Sequence, residues 1–324
     1  MARPAPDKVL RAAVIGTGTI GSAWVALFLA RGMTVTAWDP APGAAARLDA
    51  QLSKIWPKLT KLGLAKGRRP DRLIFTATPE AAVAQAELVQ ENALENEALK
   101  IDLLARLDAA APRDAVIASS TSGLLPTRIA RRMKRPERFL IAHPFNPPYL
   151  IPLVELLGCA KTSPAVLAWA MKFYAAIGKT PLLLKKEVPG FLANRIQDAV
   201  WAECVHLIEA GVATPEQIDI AIAQGPGLRW AVMGPCLTYH LTGGEGGMTA
   251  TLAHFGDSVG KWATLKPTRL SAKTRKALID GTRREAAGRS VRDLEAFRDS
   301  CVGSFIRTVT REGRPAAPRK AKPA

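Results

Sequence analysis

The 324-residue chain predicts an α/β fold: a domain built on a mainly parallel sheet over residues 10–188, followed by an all-α domain over 189–310. Three observations predict it. Up to about Leu157, short apolar runs alternate with helical stretches, as a parallel sheet with crossover helices requires. A glycine-rich turn joins the first apolar run to the first helix. After Pro189 strand signals fade and capped amphipathic helices take over. With 48% hydrophobic and 23% charged residues, the chain is too apolar for a disordered polymer, and its length suits two domains.

Strands are predicted at 12–15, 34–38, 73–76, 87–90, 115–118 and 138–142. The uncharged stretch 12–30 follows Arg3, Lys8 and Arg11 and has the look of a signal or membrane segment. Three glycines with Thr17, Thr19 and Ser22 interrupt it, which argues for strand, turn and helix. Leu48, Leu52, Ile55, Leu59 and Leu62 follow a 4,3,4,3 spacing along one helix face, and Pro57 is expected to kink or split that helix. Thr214-Pro215-Glu216-Gln217 combines a Thr cap, Pro at the first helical position and a Gln that closes a capping box. Ser290 starts another helix, whose apolar stripe of Val291, Leu294, Phe297, Cys301 and Phe305 reads as core or subunit contact. Residues 1–9 lack apolar periodicity and are expected to be a flexible N-terminus. Residues 311–324 are expected to be a disordered basic tail.

Lys and Arg number 45 against 28 Asp and Glu, a formal charge of +17. Residues 54–72 hold seven basic side chains against Asp71, and 311–324 hold five against Glu312, so these two stretches carry ten of the excess charges. Solvated surface accounts for the rest. Such charge steers acidic partners, but no recognition helix, zinc module or interleaved aromatic and basic motif indicates nucleic acid. A non-catalytic basic nucleotide-fold protein with a binding or structural role is the reading from a different class. Cys159, Cys204, Cys236 and Cys301 lie far apart with no Cys-x-x-Cys pair, so neither a metal site nor a disulfide framework is expected and the chain reads as cytoplasmic.

Ala12-Ala13-Val14-Ile15 runs into Gly16-Thr17-Gly18-Thr19-Ile20-Gly21 and then a helical pattern. In this strand–turn–helix context Gly16 permits the tight turn, Gly18 lets the backbone approach a pyrophosphate, and Gly21 lets helix and strand pack closely. The helix N-terminus offers free N–H groups to phosphates. Eighteen residues after Gly21, the strand Thr34-Val35-Thr36-Ala37-Trp38 ends in Asp39, placed to accept hydrogen bonds from both ribose hydroxyls and to repel a 2′-phosphate. The domain is therefore read as a Rossmann dinucleotide-binding domain with NAD, rather than NADP, as cofactor.

His143 follows a predicted strand end on the Gly16 side of the sheet, where ligands sit in open α/β folds. Its company is Ser122 after the previous strand, Asn146 just beyond, and Glu155 twelve residues on. A neutral imidazole with a carboxylate behind it is a good proton acceptor near neutral pH. From the residues alone, a proton-transfer dyad and a satisfied structural histidine both stay open.

The run His143-Pro144-Phe145-Asn146-Pro147-Pro148 with Leu153-Val154-Glu155 resembles the active-site segment of the 3-hydroxyacyl-CoA dehydrogenase superfamily. Glu91-Asn92-Ala93-Leu94-Glu95-Asn96 with Lys100, and Pro189-Gly190-Phe191-Leu192-Ala193-Asn194-Arg195, match two further motifs of that family, so the resemblance covers about residues 10–310. It implies that His143 is the base, Glu155 its partner, and Ser122 and Asn194 the hydrogen-bonders of substrate, with Glu95 and Lys100 near the nicotinamide. It also implies reversible oxidation of a secondary alcohol beta to a carboxyl or thioester carbonyl, and a homodimer formed through the helical domain.

Within the superfamily, Gly225-Pro226-Gly227-Leu228-Arg229-Trp230, Thr242-Gly243-Gly244-Glu245-Gly246-Gly247-Met248 and Ala286-Ala287-Gly288-Arg289-Ser290 are most similar to the branch that acts on L-carnitine. The L-gulonate 3-dehydrogenase, or lambda-crystallin, branch and short-chain 3-hydroxyacyl-CoA members are the alternatives. The carnitine resemblance implies a small substrate whose carboxylate Arg229 pairs and whose quaternary ammonium Trp230, Tyr239 or Phe145 contacts, with Asn146 as a further substrate residue.

Overall fold

The computed structural model describes residues 3–67, 69, 71–255, 271–273, 276, 287–288 and 290–311. The chain divides into two compact units, 1–195 and 196–324. The first holds an eight-stranded sheet: β1 (Arg11–Ile15), β2 (Thr34–Trp38), β3 (Leu73–Phe75), β4 (Leu88–Glu91), β5 (Val116–Ser119), β6 (Phe139–Pro144), β7 (Leu153–Gly158) and β8 (Thr180–Leu183). Their spatial order is β3-β2-β1-β4-β5-β6-β7-β8. The first six strands are parallel, β7 runs antiparallel to β6, and β8 is parallel to β7. The order reverses between β1 and β4, the switch point at which ligands enter such sheets.

The apolar runs read from the sequence form β1 to β6, of which the edge strand β3 has no buried residue, and two strands went unread. β7 is a buried run interrupted by Glu155, and the charge hides it. β8 is short and largely exposed and carries Pro181, which leaves little periodicity to read. Between the strands lie α1 (Thr19–Ala30), α2 (Ala44–Lys61), α3 (Pro79–Val83), α4 (Glu97–Ala110), α5 (Pro126–Ile129) and α6 (Pro164–Ala176). The uncharged stretch 12–30 divides into β1, turn and α1, and no helix among the described residues is long and apolar enough to cross a membrane.

Two expectations need correction. Pro57 does not split α2, because Leu48, Leu52, Trp56 and Leu59, buried on both sides of it, tie the whole helix down. Nor does the N-terminus stand apart from residue 3 onward. Trp169 Nε1 on α6 donates to the Pro4 carbonyl at 2.8 Å and Arg3 Nε donates to the Asp114 carbonyl at 3.0 Å.

The second unit is helical among its described residues. It holds most of α7 (Ala193–Glu209), then α8 (Pro215–Gln224), α9 (Pro226–Thr242), α10 (Gly247–Phe255) and α11 (Val291–Arg311). The Thr214–Gln217 capping box starts α8 with both reciprocal bonds present. Gly234, at φ +75°, breaks the helical path inside α9 just before Pro235. Of the expected tail, Arg311 closes α11 and 312–324 lie outside the described residues, as do Ala286 and Arg289 of the Ala286–Ser290 motif.

Candidate active site

Each glycine of the first turn has its own physical reason. Gly16 sits at φ +85°, and a Cβ there would lie 2.6 Å from the Asn92 carbonyl oxygen at the end of β4. A Cβ on Gly21 would lie 1.9 Å from the Gly16 carbonyl oxygen, so the helix packs on the strand only with glycine there. Gly18 faces open space, with no atom within 4 Å of its Cβ position. It is the N-cap of α1 and brings no side-chain acceptor, and the first turn, opening with Thr19 and Ile20, has no acidic residue. The N–H groups there are left for an anion.

Asp39, at the carboxyl end of β2, is held by that turn. Its Oδ2 accepts from Thr17 N at 2.8 Å and Thr17 Oγ1 at 3.2 Å, and its Oδ1 accepts from Ala41 N at 2.9 Å. Oδ1, with one donor, keeps acceptor capacity for a ribose hydroxyl. A cleft of about 650 Å³ is lined by Gly16, Gly18, Asp39, Arg47, Asn92 and Leu94 among others. An uncapped helix terminus, an open glycine and an oriented carboxylate along one cleft fit NAD.

On the same carboxyl edge, β6 and β7 pair so that His143 lies opposite Glu155. The imidazole Nδ1 and Glu155 Oε2 are 2.9 Å apart, with His143 5% and Glu155 0% exposed. Glu155 Oε1 accepts from Leu192 N at 3.0 Å and Ala193 N at 2.9 Å. Burial by itself raises a carboxyl pKa. The hydrogen bonds from His143, Ala193 and Leu192 outweigh it here and hold Glu155 below the usual carboxyl range. An ionised Glu155 favours the imidazole proton on Nδ1, the tautomer that leaves Nε2 with a free lone pair.

The peptide groups that reach Glu155 follow Phe191, a buried non-glycine residue at φ +52°. A left-handed aromatic residue costs on the order of 1–3 kcal/mol. Its ring, centred 5.5 Å from the His143 ring, and the two N–H bonds to Glu155 offset that strain. Phe145 meets the imidazole edge-on with ring centres 5.2 Å apart.

Ser122 and Asn194 come together, the Asn194 Nδ2 donating to the Ser122 carbonyl at 3.0 Å. Glu95 Oε1 gathers the Ser122 loop, accepting from Ser122 N at 2.9 Å, Gly123 N at 3.2 Å, Ser122 Oγ at 3.3 Å and Thr121 Oγ1 at 2.5 Å. Lys100, expected beside the nicotinamide, is sealed at 1% exposure. Its ammonium lies 2.6 Å from Glu91 Oε1, 3.0 Å from the Ala93 carbonyl and 3.7 Å from Glu95 Oε2.

Glu91 entered the reading of the sequence only as the first residue of a matched motif, without a role of its own. It accepts from Lys100, from Ala93 N at 2.6 Å and from Ser119 Oγ, its register partner on β5, and so ties together the loops that carry Glu95 and Ser122. An acid at the end of a strand buried on both faces was the available signal. Asn146 is exposed on the turn after β6. Arg229 and Trp230 lie in the first turn and a half of α9 and Tyr239 near its end, Arg229 and Tyr239 exposed and Trp230 half-buried, all three in the second unit.

Hydride transfer from an alcohol needs a nucleotide cleft and a proton acceptor at one sheet edge, and the first unit has both; its class is that of the NAD-dependent dehydrogenases. The family comparison narrows the class. The model described as "3-hydroxyacyl-CoA dehydrogenase, NAD binding domain" matches residues 11–188 and "3-hydroxyacyl-CoA dehydrogenase, C-terminal domain" matches 190–279, so the chain belongs to the 3-hydroxyacyl-CoA dehydrogenase family. It is 52% identical over 308 residues to an L-carnitine dehydrogenase of Streptomyces griseus, covering 95% of this chain and 92% of the relative. An L-carnitine dehydrogenase of Pseudomonas aeruginosa is 45% identical over 306 residues, covering 93% and 95%. Among solved structures, an NAD+-dependent dismutase, 5-formyl-3-hydroxy-2-methylpyridine 4-carboxylic acid 5-dehydrogenase, matches with TM-score 0.75 at 30% identity, over 97% of this chain and all of the other. The 3-hydroxybutyryl-CoA dehydrogenase of Escherichia coli K12 matches with TM-score 0.66 at 28% identity, over 85% of this chain and 57% of the other. The chain is an NAD-dependent 3-hydroxy acid dehydrogenase.

Proposed function

We propose that this dehydrogenase oxidises L-carnitine to 3-dehydrocarnitine, with His143 as general base and Glu155 as its partner. The observation that carries the base is the buried 2.9 Å bond from Nδ1 to Glu155, which leaves Nε2 to take the hydroxyl proton. Glu155, ionised and held by two peptide N–H groups, stabilises the imidazolium that forms. Ser122 and Asn194 orient the substrate oxygen. NAD, when bound, supplies the hydride acceptor, and Gly16, Thr17, Gly18, Thr19, Ile20, Gly21 and Asp39 are the residues that would hold it.

The substrate choice rests on the L-carnitine dehydrogenases that match over 95% of the chain. Chemistry assigns the carboxylate to Arg229, as a bidentate guanidinium pair. The quaternary ammonium donates no hydrogen bond and suits an aromatic face, for which Phe145, Trp230 and Tyr239 are the proposed contacts. The same reading makes the enzyme a cytoplasmic homodimer.

The test is to assay purified protein with NAD against L-carnitine, L-gulonate and 3-hydroxybutyryl-CoA. Turnover of L-carnitine well above the other two is expected. Turnover of the CoA ester alone would end the carnitine assignment while leaving the dehydrogenase class intact.

A further inference from the structure

One buried cation has no part in the chemistry above. Lys179 lies just before β8 at 8% exposure, and among the described residues no carboxylate pairs with it. A lone ammonium is costly to bury unless dipoles replace its water. Here they come from a single segment. Lys179 Nζ donates to the Pro148 carbonyl at 2.5 Å and to the Ile151 carbonyl. Both belong to the connection between β6 and β7, whose flanking strands carry His143 and Glu155. The same ammonium stands 5.6 Å from the ring centre of Trp24, on the helix that follows the glycine turn. Trp24 in turn donates from Nε1 to Ser120 Oγ at 3.2 Å, and Ser120 Oγ donates to Asn92 at 2.7 Å, beside the cofactor cleft.

We propose that Lys179 is a positioning residue that fixes the His143–Glu155 hairpin against the cofactor helix α1. One ammonium draws in two carbonyls of the hairpin loop and rests on an aromatic face of the helix, so the base and the nucleotide turn share one buried anchor. Thr180 N, donating to the Pro152 carbonyl at 2.7 Å, holds the next residue of the same loop to β8. Burial lowers the pKa of Lys179 to about 7. A deprotonated amine keeps N–H groups for both carbonyls, so the hold on the hairpin loop survives loss of the proton while the attraction to the Trp24 face weakens. The inference goes beyond the substrate reading, since it concerns alignment of base and cofactor for whichever hydroxy acid is oxidised.

Lys179→Met keeps the unbranched apolar stem and removes every side-chain donor. Its kcat is expected to fall by about 10- to 100-fold, the cost of a misplaced reacting group, while KM for NAD stays within about twofold. Lys179→Ala leaves the space of a propylammonium ion. Added n-propylamine should raise its kcat several-fold, and 1-propanol, which fills that space without charge, should restore less than a third as much. A Lys179→Met kcat within twofold of the parent, or equal rescue by propanol and propylamine, overturns the proposal.

If Lys179→Met fails to fold, the same readings are taken on Lys179→Ala refolded with propylamine and then diluted out of it. Failure of the parent to oxidise L-carnitine sinks the substrate reading alone. Amide exchange then decides for Lys179. Faster exchange at Tyr149, Leu150 and Ile151 with none gained over 16–21 supports the anchor, and unchanged exchange at those three amides overturns it.

Discussion

His143 depends on Glu155, and a pH series reads that dependence. The folded carboxyl titrates below its ordinary value of 4.5, so its ionisation adds stability above the unfolded pKa, and that stability is lost as pH falls through the folded value. The difference in melting temperature between the parent and Glu155→Gln should therefore be full above about pH 5 and shrink on further acidification. Constant separation down to the acid limit would mean that Glu155 contributes packing rather than charge. His143→Ala should lower kcat by roughly a hundredfold or more, as expected for loss of a general base. Glu155→Gln should also lower kcat, because an amide no longer dictates which ring nitrogen carries the proton. The resemblance pointed to both residues from the sequence, whereas Phe191 was legible only as part of a matched motif. Its left-handed backbone and its ring against His143 arise from three-dimensional packing.

At the scale of elements, the strand–turn–helix unit separates two roles that the glycine motif blends. Gly21→Ala drives a methyl into the Gly16 carbonyl and should lower stability and NAD binding together. Gly18→Ala meets no protein atom within 4 Å, so its melting temperature should stay near the parent's while NAD affinity drops by roughly tenfold, the equivalent of about 1.4 kcal/mol. Fluorescence titration with NAD beside thermal melts checks both. The β4–β5–α4 junction makes a different prediction. Glu91→Gln removes the nearer of the two carboxylates around the buried Lys100 ammonium and should cost about 3 kcal/mol in a denaturant titration. The glycine turn was legible because its chemistry is local. The junction was not: the matched motif placed Lys100 near the nicotinamide, and its bond to Glu91 appears only once the sheet closes over both.

For the whole molecule, Phe297 and Phe305 of α11 are exposed, and so is Cys301 between them. A stripe of this kind suits a second copy, and light scattering is expected to give twice the chain mass. A monomer across the micromolar range would remove the homodimer from the reading. Features that depend on near neighbours were legible in the chain: the alternation of strands and helices, the glycine turn with its acidic strand end, and the capping box at Thr214. Contacts between side chains on different elements depend on the folded sheet. The pairing of His143 with Glu155 was implied by the resemblance and takes its geometry from the antiparallel register of β6 and β7, whereas the closing sheet alone buries Lys100 against Glu91 and Lys179 against two carbonyls. The reason is physical: a charge enters the interior only when folding brings it a partner, and partners far apart in the chain meet only once the sheet has formed.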